Sequence, residues 1–527
     1  MKKMILVFTA LLVIGMQQFA SAQSRYLDEV FENVNVTKNV VYGSNYSVFP
    51  SFDTIPDLLV CDIYEPAGDW ISTRPVIVYL HTGSFLPILI NGTATGDLRD
   101  SATVEMCKQF ARRGYVAVAM DYRLGWNPIG ATQDIRTGTL LQAVYRALQD
   151  AKSCVRFLKS TVATQANIYR LDSNKIILGG QGSGGYLTLG YNSLNNPAEI
   201  SLLKFLATTT DPNYGFVAGQ PYVNQFVLGD FEGYGGLPGY NIVNSPGYGT
   251  KAGFVFNMGG ALGDSTWLEA GDAPTVCFHV PNDPFAPYKY GAVIVPTTGQ
   301  FVVNVSGSYD VVRLANQLGN NNSFNFPFND PYTTRANQVN DGHYGLFPFV
   351  EIDPSLVIPN NPFHGQAGPW EWWDSTALKT IAPLYGVSVA QAIGTYFNGF
   401  LTNPDMSKAK GLRYIDSIQG YLAPRIVASC GLDTMQINIG ISEVSLGNEL
   451  QMFPNPAVTY FTLQLDDATM KMENIQLFDL TGRMVKEISN INKSQVQIAR
   501  EELTSGLYMV RIVLANGKQL NGKMMMQ

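Results

Sequence analysis

Lys175-Ile176-Ile177-Leu178-Gly179-Gly180-Gln181-Gly182-Ser183-Gly184-Gly185 is the stretch on which the fold of this chain turns. A short apolar run that stops in glycines, then resumes as Tyr186-Leu187, predicts a buried strand, a tight turn and the start of a helix. Turns of this kind lift a nucleophile out of a sheet in the pattern G-x-S-x-G, with glycines where strand and helix approach too closely for side chains. In Gly180-Gln181-Gly182-Ser183-Gly184 the central position is glycine. The other register, Gln181-Gly182-Ser183-Gly184-Gly185, centres Ser183 but loses the leading glycine. Counting the strand from Lys175 through Gly180 puts Gln181 before the apex and Gly182 at it, which favours a vacant apex with the Ser183 N–H as an oxyanion donor. Ser183 as the attacking group remains the alternative.

The sequence on either side sets this turn in an α/β fold. Residues 56–190 alternate strand-like and helix-like segments, which predicts a mainly parallel sheet. Strands are expected at 58–64, 75–80, 115–120 and 175–178, and helices over 102–113 and 141–158. In the second helix Leu141, Val144, Tyr145, Leu148, Ala151, Val155 and Leu158 share one face. Residues 191–250 are irregular and rich in Gly, Tyr, Asn and Pro, an insertion that reads either as a cap or as a loop. Regular patterning returns with strands at 253–257, 275–280 and 345–352 and a helix over 309–318. Beyond residue 450, short alternating segments bounded by turn residues predict a small antiparallel sandwich.

Three further positions complete a candidate site. His81-Thr82-Gly83-Ser84 follows a buried strand, and Gly83 and Ser84 are placed to offer backbone N–H groups to a developing negative charge. Asp283 lies just beyond the strand at 275–280, where a carboxylate can orient a histidine. Of the four histidines, His81 and His279 come too early in the order nucleophile, acid, histidine. That leaves His364 as first choice and His343 as second.

Bulk properties narrow the function. The 527 residues are 46% apolar and only 15% charged, with a net charge of −7 and no basic block, which argues against nucleic acid as a partner. Met1-Lys2-Lys3, an apolar run to Met16 and Ala20-Ser21-Ala22 predict a signal peptide over 1–22, and no later run reaches the length of a membrane helix. The five cysteines are scattered without a C-x-x-C pair and read as small buried side chains. No metal-ligand spacing and no nucleotide loop is present, so no metal or cofactor is expected. The expected organisation is a signal peptide (1–22), a main domain (23–435) with its insertion, a linker (436–450) and a C-terminal β-domain (451–527).

Asp62-Ile63-Tyr64-Glu65-Pro66-Ala67-Gly68, the run 76–85, Arg113-Gly114-Tyr115-Val116, Asp121-Tyr122-Arg123-Leu124-Gly125 and Tyr145-Arg146-Ala147-Leu148-Gln149-Asp150-Ala151-Lys152 together resemble the carboxylesterase/lipase branch of the α/β-hydrolase superfamily over roughly residues 35–385. The resemblance implies an eight-stranded, mostly parallel sheet and ancestral ester hydrolysis. The chain departs from that family at Gly182, where serine is usual, and at Thr82, where glycine is. Phe453-Pro454-Asn455-Pro456, Leu477-Phe478-Asp479-Leu480-Thr481-Gly482-Arg483, Gly506 and Lys523 resemble the type A sorting domain of the type IX secretion system. That implies handling by the secretion machinery and a place outside, or on the outer surface of, a Gram-negative bacterium.

Three functions remain open at this level. One is a hydrolase-fold protein impaired by its glycine apex, and another is an esterase attacking through Ser183 with His364 and Asp283. The third is a surface protein binding glycans or lipids through Trp370, Trp372 and Trp373, which read otherwise as buried anchors of a helix. A small ester, lipid or glycan is the ligand class these readings share.

Overall fold

In the computed structural model the described residues are 24–48, 54–295, 298–350, 365–432, 450–479, 484–501, 503–516 and 519–527. The signal-peptide reading and the linker reading up to residue 449 therefore lie outside the described residues, as does His364, while Leu450, read as the linker's last residue, opens a strand. Contacts divide the chain into a unit of residues 24–435 and one holding residues 436–527.

The first unit is built on strands β1 (Val34–Val48), β2 (Thr54–Pro66), β3 (Arg74–Leu80), β4 (Val116–Met120), β5 (Leu171–Gln181), β6 (Phe254–Met258) and β7 (Thr275–His279), with a hairpin β8 (Gly291–Ile294) and β9 (Phe301–Val305) beside them, then β10 (Leu346–Pro348). Eight form one sheet in the order β1-β2-β4-β3-β5-β6-β7-β10. The β1–β2 and β2–β4 pairs are antiparallel and every later pair is parallel. β3 is the continuous apolar run Arg-Pro-Val-Ile-Val-Tyr-Leu, buried throughout, because helices cover both sheet faces. Val76, Val78 and Leu80 face a core shared with helices Gln133–Thr164 and Ser183–Ser193. Ile77 and Tyr79 face a second core shared with helices Ser101–Arg112 and Lys408–Cys430.

Several elements differ from the sequence expectation, each for a local reason. The helix expected over 141–158 runs from Gln133, because Thr132 caps it by accepting from the Ile135 N–H and Asp134 in its first turn is fully engaged. That carboxylate takes bonds from Thr208, Thr209 and Tyr222, pinning the irregular insertion to the helix. The strand expected at 345–352 is only Leu346–Pro348. The 23-residue helix Lys408–Cys430 escapes sequence reading because its buried face is interrupted by Lys410, Gln419 and Arg425. All five cysteines are free and buried.

Buried ion pairs tie the loops below the site to the frame. Arg123 and Asp150 are both fully buried and bond through Arg123 Nε at 2.9 Å, while the Arg123 N–H donates to the same carboxylate at 2.9 Å. This fixes the loop that leaves β4 as Asp121-Tyr122-Arg123 onto the long helix.

In the second unit, β11 (Leu450–Phe453), β12 (Tyr460–Leu465) and β15 (Gln495–Ala499) form one sheet, and β13 (Met472–Phe478), β14 (Met484–Lys493), β16 (Gly506–Leu514) and β17 (Gln519–Met526) another. All their ladders are antiparallel. Phe461, Leu463, Ile475, Leu477, Val510 and Ile512 fill the space between.

Candidate functional site

β5 ends at Gln181 and the next helix begins at Ser183, so the chain reverses across Gly182 alone. Gly182 has φ 54° and ψ −119°, a left-handed conformation costly for any residue with a β-carbon. Its N–H donates to the Met258 carbonyl at 2.8 Å and its own carbonyl accepts from the Gly185 N–H at 2.9 Å. This is a sharp strand-to-helix elbow with glycine at its apex. A β-carbon built there would stand 2.9 Å from Thr82 Cβ and closer still to Thr82 Oγ1. The threonine side chain therefore fills the volume an apex side chain needs.

Thr82 belongs to the loop leaving β3, and that loop is held rigidly. His81 is buried, its Nδ1 2.5 Å from the Thr82 carbonyl and its Nε2 3.2 Å from Asp121 Oδ1, with Tyr122 stacked on the ring at 4.4 Å between centroids. Burial pulls the imidazole pKa down, but the Asp121 carboxylate outweighs it and leaves the pKa raised. The Tyr122 hydroxyl donates to the His81 carbonyl at 2.9 Å and lies 3.1 Å from Ser183 Oγ. Since the phenol has one hydrogen and spends it on that carbonyl, Ser183 is the donor in the second bond. Gly83, Ser84 and Phe85 follow with φ of 130°, 53° and 56°. Two successive residues with side chains in this region are unusual, and such strain gathers at functional loops.

Thr82, Gly83, Ser84, Gly182, Ser183 and Asp283 all line one cavity of about 570 Å³. Much of the remaining wall is apolar, including Leu148 and Trp267 and, from the irregular insertion, Leu194, Ile200, Phe205 and Val223. Asp283 Oδ1 accepts from the N–H groups of Phe285 at 2.7 Å and Ala286 at 3.1 Å. Burial outweighs those two bonds and pushes its pKa up to about 7. His279 steadies the same turn: its Nε2 is 3.0 Å from the Ala286 carbonyl and its Nδ1 2.7 Å from Ser308 Oγ, and burial lowers its pKa to about 4. It is a neutral brace for the turn.

Glu371, which the sequence reading passed over, also lines the cavity. Gln181, the residue before the apex, donates to Glu371 Oε1 at 3.1 Å and accepts from the Tyr79 hydroxyl at 2.8 Å. Burial, then the charges of Asp100 and Asp283, raise the Glu371 pKa to about 8. The available signal was a carboxylate set among three tryptophans in Trp370-Glu371-Trp372-Trp373, a setting in which a carboxyl is held away from water. Trp370 is 2% exposed and, with Trp373, lines the cavity. Trp372 lies against Gly411 of the helix Lys408–Cys430, and Trp373 against Gly399 of the helix Val389–Thr402.

Of the two candidate histidines, the one among the described residues, His343, is not brought into the cavity. His343 is half-buried, edge-on to Tyr309 at 5.0 Å, and is not among the cavity residues. His364 lies outside the described residues, but the next residue does not: Gly365 packs against the turn Asn282–Pro284, so tightly that a β-carbon there would overlap the Asn282 carbonyl and stand 3.2 Å from Pro284 Cδ. That turn carries Asp283. Among the described residues no group of three or more His, Cys, Asp or Glu side chains is placed to hold a metal ion, and no helix is long and apolar enough to cross a membrane.

Residues 61–218 match the BD-FAE family, and residues 451–527 match the secretion system C-terminal sorting domain. No curated protein matches the chain. Among solved structures it is similar to esterase 2 of Thermogutta terrifontis phosphorylated by paraoxon, with 19% identity and a TM-score of 0.26 over 47% of this chain and 74% of that one. The native form of a thermophilic esterase from the same organism shows 15% identity and a TM-score of 0.30 over 69% of this chain and 95% of its own. An inhibited esterase B from Lactobacillus rhamnosis shows 20% identity and a TM-score of 0.22 over 38% and 52%.

Proposed function

We propose that this chain, an esterase-like α/β-hydrolase-fold protein with a secretion sorting domain at its C-terminus, is an exported ligand-binding hydrolase relative in which ester turnover is impaired because Gly182 stands at the apex of the nucleophile elbow. One observation supports this above the rest. Gly182 has the backbone conformation of an elbow apex, and Thr82 fills the volume an apex side chain would need. The two departures from the family pattern are complementary in space.

Other parts of the site support the same reading. The loop at Gly83 and Ser84 faces the cavity together with Ser183, whose N–H opens the helix, and such donors stabilise a carbonyl oxygen as charge develops on it. Asp283 is the proposed acid, and His364 the proposed imidazole, adjoining the Gly365 contact with the Asp283 turn. Ser183 is better suited to this donor role than to attack, because its hydroxyl is bonded to Tyr122 within the wall. The apolar lining favours an ester or lipid over a glycan, and the tryptophans pack against helices, leaving little to favour a surface glycan site. The match to the sorting domain supports handling by type IX secretion machinery and, with it, a position outside or on the outer surface of a Gram-negative bacterium.

The test is hydrolysis of p-nitrophenyl butanoate by four proteins: the native chain, Gly182→Ser, Thr82→Gly and the pair. Steady turnover is expected in the pair alone, at least roughly a hundredfold above native, since losing a triad serine costs on the order of a millionfold in the subtilisin series. Native turnover that disappears in Ser183→Ala would overturn the reading. So would a folded pair that is no faster than native.

A further inference from the structure

We infer that Thr82 is a covalent capture site of the cavity, its hydroxyl taking the acyl group of an activated aryl ester; the inference rests on the vacant apex proposed above. Thr82 Oγ1 occupies the space of the missing apex side chain, approaching it from the opposite wall. It is a hydroxyl presented where a hydrolase of this fold presents one, supplied by the loop that leaves β3.

Two further observations separate Thr82 from the neighbouring hydroxyl of Ser183. Thr82 lines the cavity and is partly exposed to it, and its hydroxyl has no partner among the described residues. Ser183 spends its hydrogen on Tyr122 and is 6% exposed. The backbone on either side of Thr82 is also clamped. Its carbonyl is held by the His81 ring and the His81 carbonyl by Tyr122, so the hydroxyl is fixed before any ligand arrives. The next two residues, Gly83 and Ser84, turn into the same cavity and bring backbone donors to polarise a carbonyl beside it.

The chemistry follows from what Thr82 lacks. An alcohol with no bonded base is a weak nucleophile near neutral pH, so only an ester with a good leaving group reacts. The Thr82 Oγ–acyl carbon bond forms, the acyl carbon–aryloxy bond breaks, and the threonine proton leaves with the aryloxide as a phenol. Hydrolysis of the resulting acyl-threonine needs an activated water, which no base bonded to Thr82 supplies. The acyl group therefore stays, and the reaction is stoichiometric. The apolar remainder of the cavity suits a short or medium aliphatic acyl chain.

The full chain, incubated with p-nitrophenyl butanoate under mildly alkaline conditions, is read by p-nitrophenolate release, intact mass and peptide mapping. A single burst of no more than one equivalent is expected, with the butanoyl group on the peptide containing Thr82. Thr82→Val, which keeps the branched shape without the hydroxyl, should lose both burst and adduct, whereas Thr82→Ser keeps them. No adduct on folded native protein overturns the inference, as does an adduct on Ser183 or a burst that survives Thr82→Val. Thr82→Ser guards against a folding defect, since its loss of the adduct despite native melting would count equally against the proposal. Failure here leaves the vacant apex untouched, because that reading is decided by turnover in the Gly182→Ser, Thr82→Gly pair.

Discussion

The hydroxyls of Tyr122 and Ser183 stand 3.1 Å apart, and that bond keeps the one serine of the glycine turn inside the wall. The same tyrosine oxygen donates to the His81 carbonyl. Tyr122→Phe therefore strands a buried carbonyl and a buried hydroxyl together, at an expected cost of ~1–3 kcal/mol. Denaturant unfolding of the variant checks it, and an unchanged midpoint would show that water replaces the phenol without loss.

Thr82 and Gly182 should be coupled in stability as well as in activity. Gly182→Ala places a β-carbon in a left-handed conformation and against the threonine side chain, with an expected loss of ~1–3 kcal/mol from the backbone alone. Thr82→Gly removes the overlap but not the backbone strain. A double-mutant cycle should return a favourable coupling of about 0.5–3 kcal/mol, and additive effects would mean the two positions do not share space.

Stability should decline as pH rises across the neutral range. Burial raises Asp283 and Asp100 to about 7 and Glu371 to about 8. The same carboxyls in the unfolded chain release their protons near about 4. Between those limits the folded state binds more protons, so unfolding free energy falls with increasing pH, by up to ~1.4 kcal/mol per pH unit for each group. The stabilisation is complete below the unfolded values and lost by the time pH passes the folded ones. Glu371→Gln removes one contributor and should flatten the dependence between about pH 5 and 8; a slope identical to native would show that Glu371 titrates normally.

The Arg123–Asp150 pair, fully buried on both sides, should be among the most sensitive points outside the cavity. Asp150→Ala leaves a guanidinium without its charge partner, at an expected ~3–5 kcal/mol. It also frees the loop that carries Tyr122 beneath His81. Thermal unfolding measures the loss, and replacing both residues by leucine should recover part of it, because the unpaired charge then disappears.

Strand runs such as Val76-Ile77-Val78-Tyr79-Leu80, the glycine turn at 179–185 and the ordered motifs from Asp62 to Lys152 were enough to fix an α/β sheet with a tight strand-to-helix turn after β5. Local patterning suffices there because a buried parallel strand is apolar along its whole length and a tight reversal admits few residues. The sandwich at the C-terminus was legible from a different pattern, short alternating segments bounded by turn residues. What one dimension withheld was distance between segments. That Thr82 occupies the space above Gly182, that Glu371 joins Asp283 in one cavity, and that Tyr122 holds Ser183 all depend on residues about 60 to 100 positions apart meeting across the sheet. Side-chain volume and hydrogen-bond direction are properties of packed neighbours, so only the tertiary structure could decide which hydroxyl faces the cavity.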